Sequence, residues 1–257
     1  MNFKTKSILA IATAWVGTAV MAQTAAPAAA PDPESTLAFN IGAVSEYRFR
    51  GIAQTSFKPA LQGGVDYSHK SGLYVGAWAS NISWIKDYVG ATDGSSEVDV
   101  YGGYKGEIAK DFTFDIGVIT YQYPGNTADK VLVNANTTEV YGALTYGIVT
   151  AKYSQSTSNF IANPDSKGSN YFELAAAFDL GNGFSLTPHI GRQSIPNQVG
   201  STGDYTDYAL TLGKDFGNGL TASLAAYSTD AKDSFYKVAG FDNLGKNALA
   251  VGVKYTF

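Results

Sequence analysis

The sequence predicts an all-β chain: a transmembrane, antiparallel, up-and-down β-barrel of about 12 strands, within a range of roughly 10 to 14. Three observations predict it. Apolar residues recur at every second position from Leu37 to Phe257, the period of a strand with one apolar face. The links between these segments alternate between short Gly-containing turns and longer polar stretches. The composition fits neither a soluble domain nor a helical membrane protein. Charged residues make up 16% of the 257 positions, against roughly 25% in soluble domains, yet the mean hydropathy is −0.07, and there are 28 Gly and 17 Tyr.

The first residues read as an export leader rather than as part of the barrel. Lys4 and Lys6 precede an apolar stretch from Ile8 to Met21, and Val20-Met21-Ala22 sets cleavage after Ala22. That stretch is shorter than the roughly 20 residues a membrane helix needs. A secretory leader over 1–22 leaves 16 basic against 22 acidic side chains and directs the chain toward a Gram-negative cell's outer membrane. Residues 23–36, with Ala-Pro pairs and Asp32-Pro33-Glu34, read as a flexible periplasmic tether. The barrel is expected over 37–257. No later segment is apolar for long enough to form a membrane helix.

The alternating segments follow in order. The first, 37–50, opens with Leu37, Phe39 and Ile41 on one face and continues through Tyr47 and Phe49. Segments at 58–69, 72–84, 96–106, 111–123 and 137–146 come next, then 148–157, 169–180, 184–194, 204–215, 219–229 and 246–257. Between Trp78 and Trp84 both faces carry bulk, which predicts a bulge or register change there. Pro188 predicts a similar irregularity in the ninth segment. Each segment is long enough for the roughly 9–11 residues a tilted strand needs to cross lipid.

The turns set the orientation. Ser71-Gly72, Tyr146-Gly147, Asn182-Gly183 and Gly217-Asn218 supply the tight connections expected on the periplasmic side. The stretches 51–57, 85–95, 124–136, 158–168, 195–203 and 230–245 become the outer loops. Under this orientation Tyr67, Tyr104, Phe112, Tyr146, Phe178, Phe184, Phe216, Tyr255 and Phe257 fall together at the periplasmic rim, where aromatic rings suit the membrane–water boundary. A terminal Phe257 two residues after Tyr255 resembles the C-terminal signal read by the barrel-assembly machinery. Lipid and lipopolysaccharide are the expected surroundings.

Residues on the opposite face point to what the interior does. Glu46, Arg48 and Arg50 share that face of the first segment, and Asp66, Asp99, Lys105, Glu139, Lys152 and Glu173 share it elsewhere. Charges of both signs away from lipid require water or a satisfied polar network. The two arginines either pair with acids such as Asp66 and stiffen the wall, or draw anionic solutes toward the mouth.

Other chemistry finds little support. The absence of Cys removes disulfides, thiolate metal sites and cysteine nucleophiles. His69 and His189 are the only histidines. His69 and Ser71 have the spacing of a base and nucleophile on one strand face, but no third residue orients the imidazole. His189 has no partner along its own strand, so no catalytic residues are expected. Asp93, Glu97 and Asp99, or Asp230 and Asp233, lack the order of a calcium loop, so neither a metal nor any other cofactor is expected. A pI near 5.1 gives nucleic acid no footprint.

A family resemblance emerges from residues 45–84. Ser45-Glu46-Tyr47-Arg48-Phe49-Arg50-Gly51-Ile52 is followed by Pro59-Ala60-Leu61-Gln62-Gly63-Gly64-Val65-Asp66-Tyr67 and by Gly72-Leu73-Tyr74-Val75-Gly76-Ala77-Trp78. Together they resemble the TorF family, proteobacterial outer-membrane barrels regarded as candidate porins. The resemblance implies a pore and names no solute. The expectation is therefore a non-enzymatic porin passing small polar or charged solutes through a narrow charged lumen. The competing expectation is a plugged structural or adhesive barrel with binding loops, and an outer-membrane lipid hydrolase is a more distant third.

Overall fold

A computed structural model describes residues 34–257. The leader expected over 1–22 and the tether up to residue 33 lie outside the described residues. Ser35 and Thr36, expected in the tether, already belong to the first strand and pair with His69 and Ser68.

The chain forms a closed antiparallel barrel of twelve strands. They are β1 (Ser35–Val44), β2 (Ala60–His69), β3 (Leu73–Asn81), β4 (Ser96–Ala109), β5 (Phe112–Gln122) and β6 (Thr137–Tyr146). The second half is β7 (Val149–Ser156), β8 (Asn170–Ala176, resumed as Phe178–Gly181), β9 (Phe184–Ser194), β10 (Tyr205–Gly217), β11 (Leu220–Thr229) and β12 (Ala248–Thr256). Each strand pairs with the next, and β12 returns to β1 in the register Ile41↔Tyr255. Phe39 and Phe257 exchange two backbone hydrogen bonds of 2.9 Å beyond the last strand residue. Closure leaves no edge, which a sheet in lipid requires because every backbone group must be satisfied within the protein.

The alternation resolves into two surfaces. Leu37, Phe39, Ile41, Val100, Ile116, Val118, Leu144 and Val251 all point outward and stand exposed. An exposed apolar belt of this size marks a lipid-facing wall. Tyr104, Tyr146, Phe216 and Tyr255 ring the end that carries the short turns. The short turns stay tight because residues such as Asn218 (φ 52°) and Gly219 (φ 82°) adopt positive φ.

Inward glycines make room for rings from neighbouring strands. A Cβ on Gly76 would lie 2.5 Å from the Tyr101 ring, and one on Gly191 only 1.9 Å from the Tyr171 hydroxyl. These glycines are sockets for close approach rather than weak points in the wall.

The first segment departs from the alternation pattern. β1 stops at Val44, and residues 45–59 turn into the lumen instead of extending the wall to residue 50. Tyr47 and Phe49 continue the apolar alternation, but their partners are interior. They join Ile82, Trp84, Ile85, Tyr121, Tyr123 and Phe160 in an apolar core that fills the outer half of the barrel. Period 2 reports only that one face meets apolar matter; it does not distinguish lipid from a packed interior.

The same core explains the bulk between Trp78 and Trp84. No register shift occurs in β3. The strand simply ends at Asn81, and Trp84 starts a short helix, α1 (Trp84–Asp87), that packs inward. The ladder around Pro188 is regular as well; the break lies across from it, at Ala177 between the two parts of β8.

Candidate functional site

The inward loop builds its own small hairpin. Arg48–Phe49 pairs with Ile52–Ala53 across a two-residue turn in which Arg50 (φ 48°) and Gly51 (φ 79°) both have positive φ. Paired positive φ values are what a tight type I′ turn requires. Position 51 also tolerates no side chain: a Cβ there would lie 2.7 Å from Thr229 Cγ2 and 2.8 Å from Asp207 Cβ. The hairpin tip is thus pressed against the β10–β11 wall.

Two arginines anchor it in different directions. The Arg48 Nε donates to Glu46 Oε1 at 3.1 Å. Its Nη1 donates to the carbonyls of Gly51 (2.7 Å), Lys246 (2.8 Å) and Leu244 (3.3 Å), which ties the hairpin to the last outer loop. Arg50 reaches the other way. It donates to both carboxylate oxygens of Glu139 on β6, at 2.7 and 3.0 Å, and to Gln193 Oε1 on β9 at 2.9 Å. Its guanidinium also lies 4.3 Å from the Tyr171 ring centroid and 4.7 Å from that of Phe49. Burial acts to lower the Arg50 pKa, but the Glu139 carboxylate outweighs it and holds the group above its ordinary value. Such an ion pair is held by geometry rather than by water, because both side chains are almost fully enclosed.

Beneath the hairpin, toward the short turns, the lumen is polar and half-buried. Asp66 and Asp115 accept hydrogen bonds from Tyr101 and Tyr74. Lys105 lies over the Tyr74 ring and Lys152 over the Tyr141 ring. On the β8–β10 wall, His189 Nε2 meets Asp207 Oδ1 at 3.1 Å and its Nδ1 lies 3.5 Å from Glu173. Tyr171 donates to Asp207 Oδ2 at 2.8 Å. Near the outer core, Tyr47 donates to buried Glu97 at 3.3 Å, and Asp99 is fully enclosed beside it.

The inward residues singled out in the sequence therefore fall into two groups. Asp66, Asp99, Lys105, Glu139, Lys152 and Glu173 sit on strands and face inward. Glu46, Arg48 and Arg50 belong to the loop, and the arginines pair with Glu46 and Glu139 rather than with Asp66. Tyr255 and Phe257 stack at the short-turn rim with centroids 5.8 Å apart. Sequence reasoning missed Gln193 as an anchor and the convergence of Glu173 and Asp207 on His189, because these groups come from different strands at unrelated offsets.

The remaining candidates stay separate. His69 Nδ1 and Ser71 Oγ are 2.8 Å apart, but that nitrogen also accepts the Ser71 backbone N–H at 3.1 Å, the geometry of a turn. No carboxylate contacts His69 among the described residues. Those residues also contain no cluster of three metal-type ligands.

Residues 28–257 match the family described as Gcw_chp, a bacterial protein of unknown function. No curated protein matches the sequence. Among solved structures, the fold is similar to a KdgM porin in complex with disordered oligogalacturonate, at 7% identity and a TM-score of 0.53, covering 87% of this chain and 99% of that one. It is also similar to the NanC porin, at 14% identity and a TM-score of 0.51, covering 86% of this chain and 99% of that one.

Proposed function

We propose that this chain, which belongs to the Gcw_chp family of bacterial proteins of unknown function, is a non-enzymatic outer-membrane porin through which small polar solutes diffuse passively. One observation carries the reading. Half-buried polar and charged side chains line the lumen on the short-turn side, and a loop held by two arginines lies inside the barrel above them, the layout of a channel with an internal constriction. The porin-like fold and the TorF likeness over residues 45–84 support it.

In this reading Asp66, Asp99, Lys105, Glu139, Lys152 and Glu173 form the polar wall, while Glu46, Arg48 and Arg50 shape the constriction. The arginines position the loop instead of offering free charge to anions. Lipopolysaccharide and outer-membrane lipid surround the belt, and the barrel-assembly machinery recognises the strand ending in Tyr255 and Phe257. The leader over 1–22 carries the chain to the secretory pathway.

The apolar core across the outer half favours a second reading, a closed structural or adhesive barrel displaying its loops. Single-channel recording of the refolded protein in a planar bilayer separates the two. Discrete current steps support the porin, whereas a folded barrel that stays silent in the wild type and in Arg50→Ala supports the closed barrel.

A further inference from the structure

Two acids in the outer half of the barrel stand apart from the paired charges around them. Glu97 and Asp99 lie two positions apart on β4 and point inward, with 1% and 0% of their surfaces exposed. Tyr47 donates to Glu97 Oε1 at 3.3 Å, but Glu97 Oε2 and both oxygens of Asp99 have no hydrogen-bond partner among the described residues. Aromatic rings surround them. Trp78 on β3 and Tyr121 on β5 flank Asp99 in register. The Tyr47 ring lies edge-on to Trp78 with centroids 5.4 Å apart, and Phe49 lies edge-on to Tyr121 at 5.3 Å. Two aromatic residues of the inward loop are thus seated on the two rings that bracket Asp99.

A carboxylate enclosed without a cation or several donors is strongly disfavoured, and two side by side are more so. The other titratable and charged groups that face the pair do not relieve it. They are Tyr47 and Arg50 from the inward loop, Tyr101 from β4 itself, Tyr121 from β5, Tyr123 just beyond it, and Glu139 from β6. Trp78 and Ser80, opposite the pair on β3, do not titrate. Glu139 is a further acid, and Arg50 is already committed to Glu139 and Gln193. The packed arrangement therefore requires the pair to hold protons.

We propose that Glu97 and Asp99 form a proton-dependent latch: protonated, they let the inward loop pack, and on ionising they release it and widen the passage. The latch itself is independent of the porin reading, whereas its effect on passage rests on it. A proton held in the packed state and given up in the loosened, hydrated one favours packing at low pH. That advantage is lost as pH rises. Once both groups are ionised, they repel each other and Glu139, and water must enter to solvate them.

Trp78 and Trp84 pack in this core, so acrylamide quenching of tryptophan emission reports its state without requiring a current. The refolded protein is compared at about pH 6 and about pH 9, below the ordinary tyrosine range near 10. The wild type is expected to be quenched about threefold more readily at the higher pH and to carry several-fold more current in a planar bilayer. Glu97→Gln combined with Asp99→Asn keeps the side-chain shapes, removes both charges, and is expected to respond to pH in neither measurement. Heat-dependent gel mobility checks that the variant forms a barrel. Should it not, each single substitution is tested and is expected to weaken the response.

Wild-type quenching that is equal at both pH values would overturn the latch. A folded double variant that keeps the wild-type response would do so too, because His189 or a tyrosine would then be the responsible group. The alkaline response reproduced at the lower pH by a chelator alone would also overturn it, since a bound cation rather than a proton would be neutralising the pair. A core that loosens with pH in a barrel that never conducts would leave the latch standing and overturn the porin reading instead.

Discussion

Arg50 and Glu139 are 89 residues apart in the chain, yet they meet in the lumen through two hydrogen bonds of 2.7 and 3.0 Å. Arg50 comes from the loop after the first strand and Glu139 from the sixth, nearly half-way around the barrel. The contact therefore braces a loop against the wall opposite its own root. Arg48 holds the same loop to the last outer loop on the near side.

Removing this brace is the most direct test of the constriction. Losing one partner of a buried ion pair costs roughly 3–5 kcal/mol, here charged against loop docking rather than against the barrel. Arg50→Ala is expected to raise the mean open current several-fold, and Arg50→Lys to recover part of the closure. Arg48→Ala combined with Arg50→Ala should open the channel further and shift ion preference toward cations, because Glu46 and Glu139 lose their partners. Reversal potentials in a salt gradient provide the check.

Gly191 is a second point of leverage. Its substitution by Ala would put a methyl group where the Tyr171 hydroxyl sits and displace that ring from Asp207. Overpacking of this kind costs about 1–3 kcal/mol. A lower urea midpoint in detergent, with an unchanged circular-dichroism spectrum, is the expected result.

The lipid belt predicts an asymmetry between neighbouring faces. Val118→Arg places a charge on the outward wall and is expected to cost about 2–4 kcal/mol near the bilayer midplane. Thr145→Arg, which points into the vestibule, should leave refolding yield in lipid vesicles almost unchanged.

Acid should loosen the last outer loop. The hydrogen bond from Asn243 holds the Asp233 carboxyl below the ordinary carboxylate range, and Lys246 does the same for Asp242. Groups depressed in the folded state favour that state above their unfolded pKa, and the contribution disappears as pH falls through the folded value. Both side chains are exposed, so the effect is local. Lower protection of the 230–247 backbone amides, relative to their intrinsic exchange rates, at strongly acid pH, with no such loss on the alkaline side, is the expected pattern.

Much of the barrel was legible in the sequence. Strict alternation at Leu37, Phe39 and Ile41, and again at Leu249, Val251 and Val253, gave the outward face. The Asn-Gly turns located the end with the short connections. What alternation could not show was that Tyr47 and Phe49 leave the wall while keeping its period, because an apolar interior satisfies them as well as lipid does. The partners of Arg50 were hidden for a different reason. Glu139 and Gln193 are brought to it by closure of the barrel, and no spacing within one strand encodes that meeting. His189 is the same case on a smaller scale, with its acids on the two adjacent strands.

The seam between the first and last strands also has a consequence in time. Ser45 and Val251, which hydrogen-bond across it, are 206 residues apart. Until the final strand is in place, the growing sheet has two bare edges, each able to pair with the wrong strand. Contacts so distant in the chain form slowly. Formation of the seam is therefore the event that ends this vulnerability, and the two Phe39–Phe257 backbone bonds mark its completion. A nascent barrel arrested one strand early would not be a slightly smaller pore but an open, adhesive ribbon.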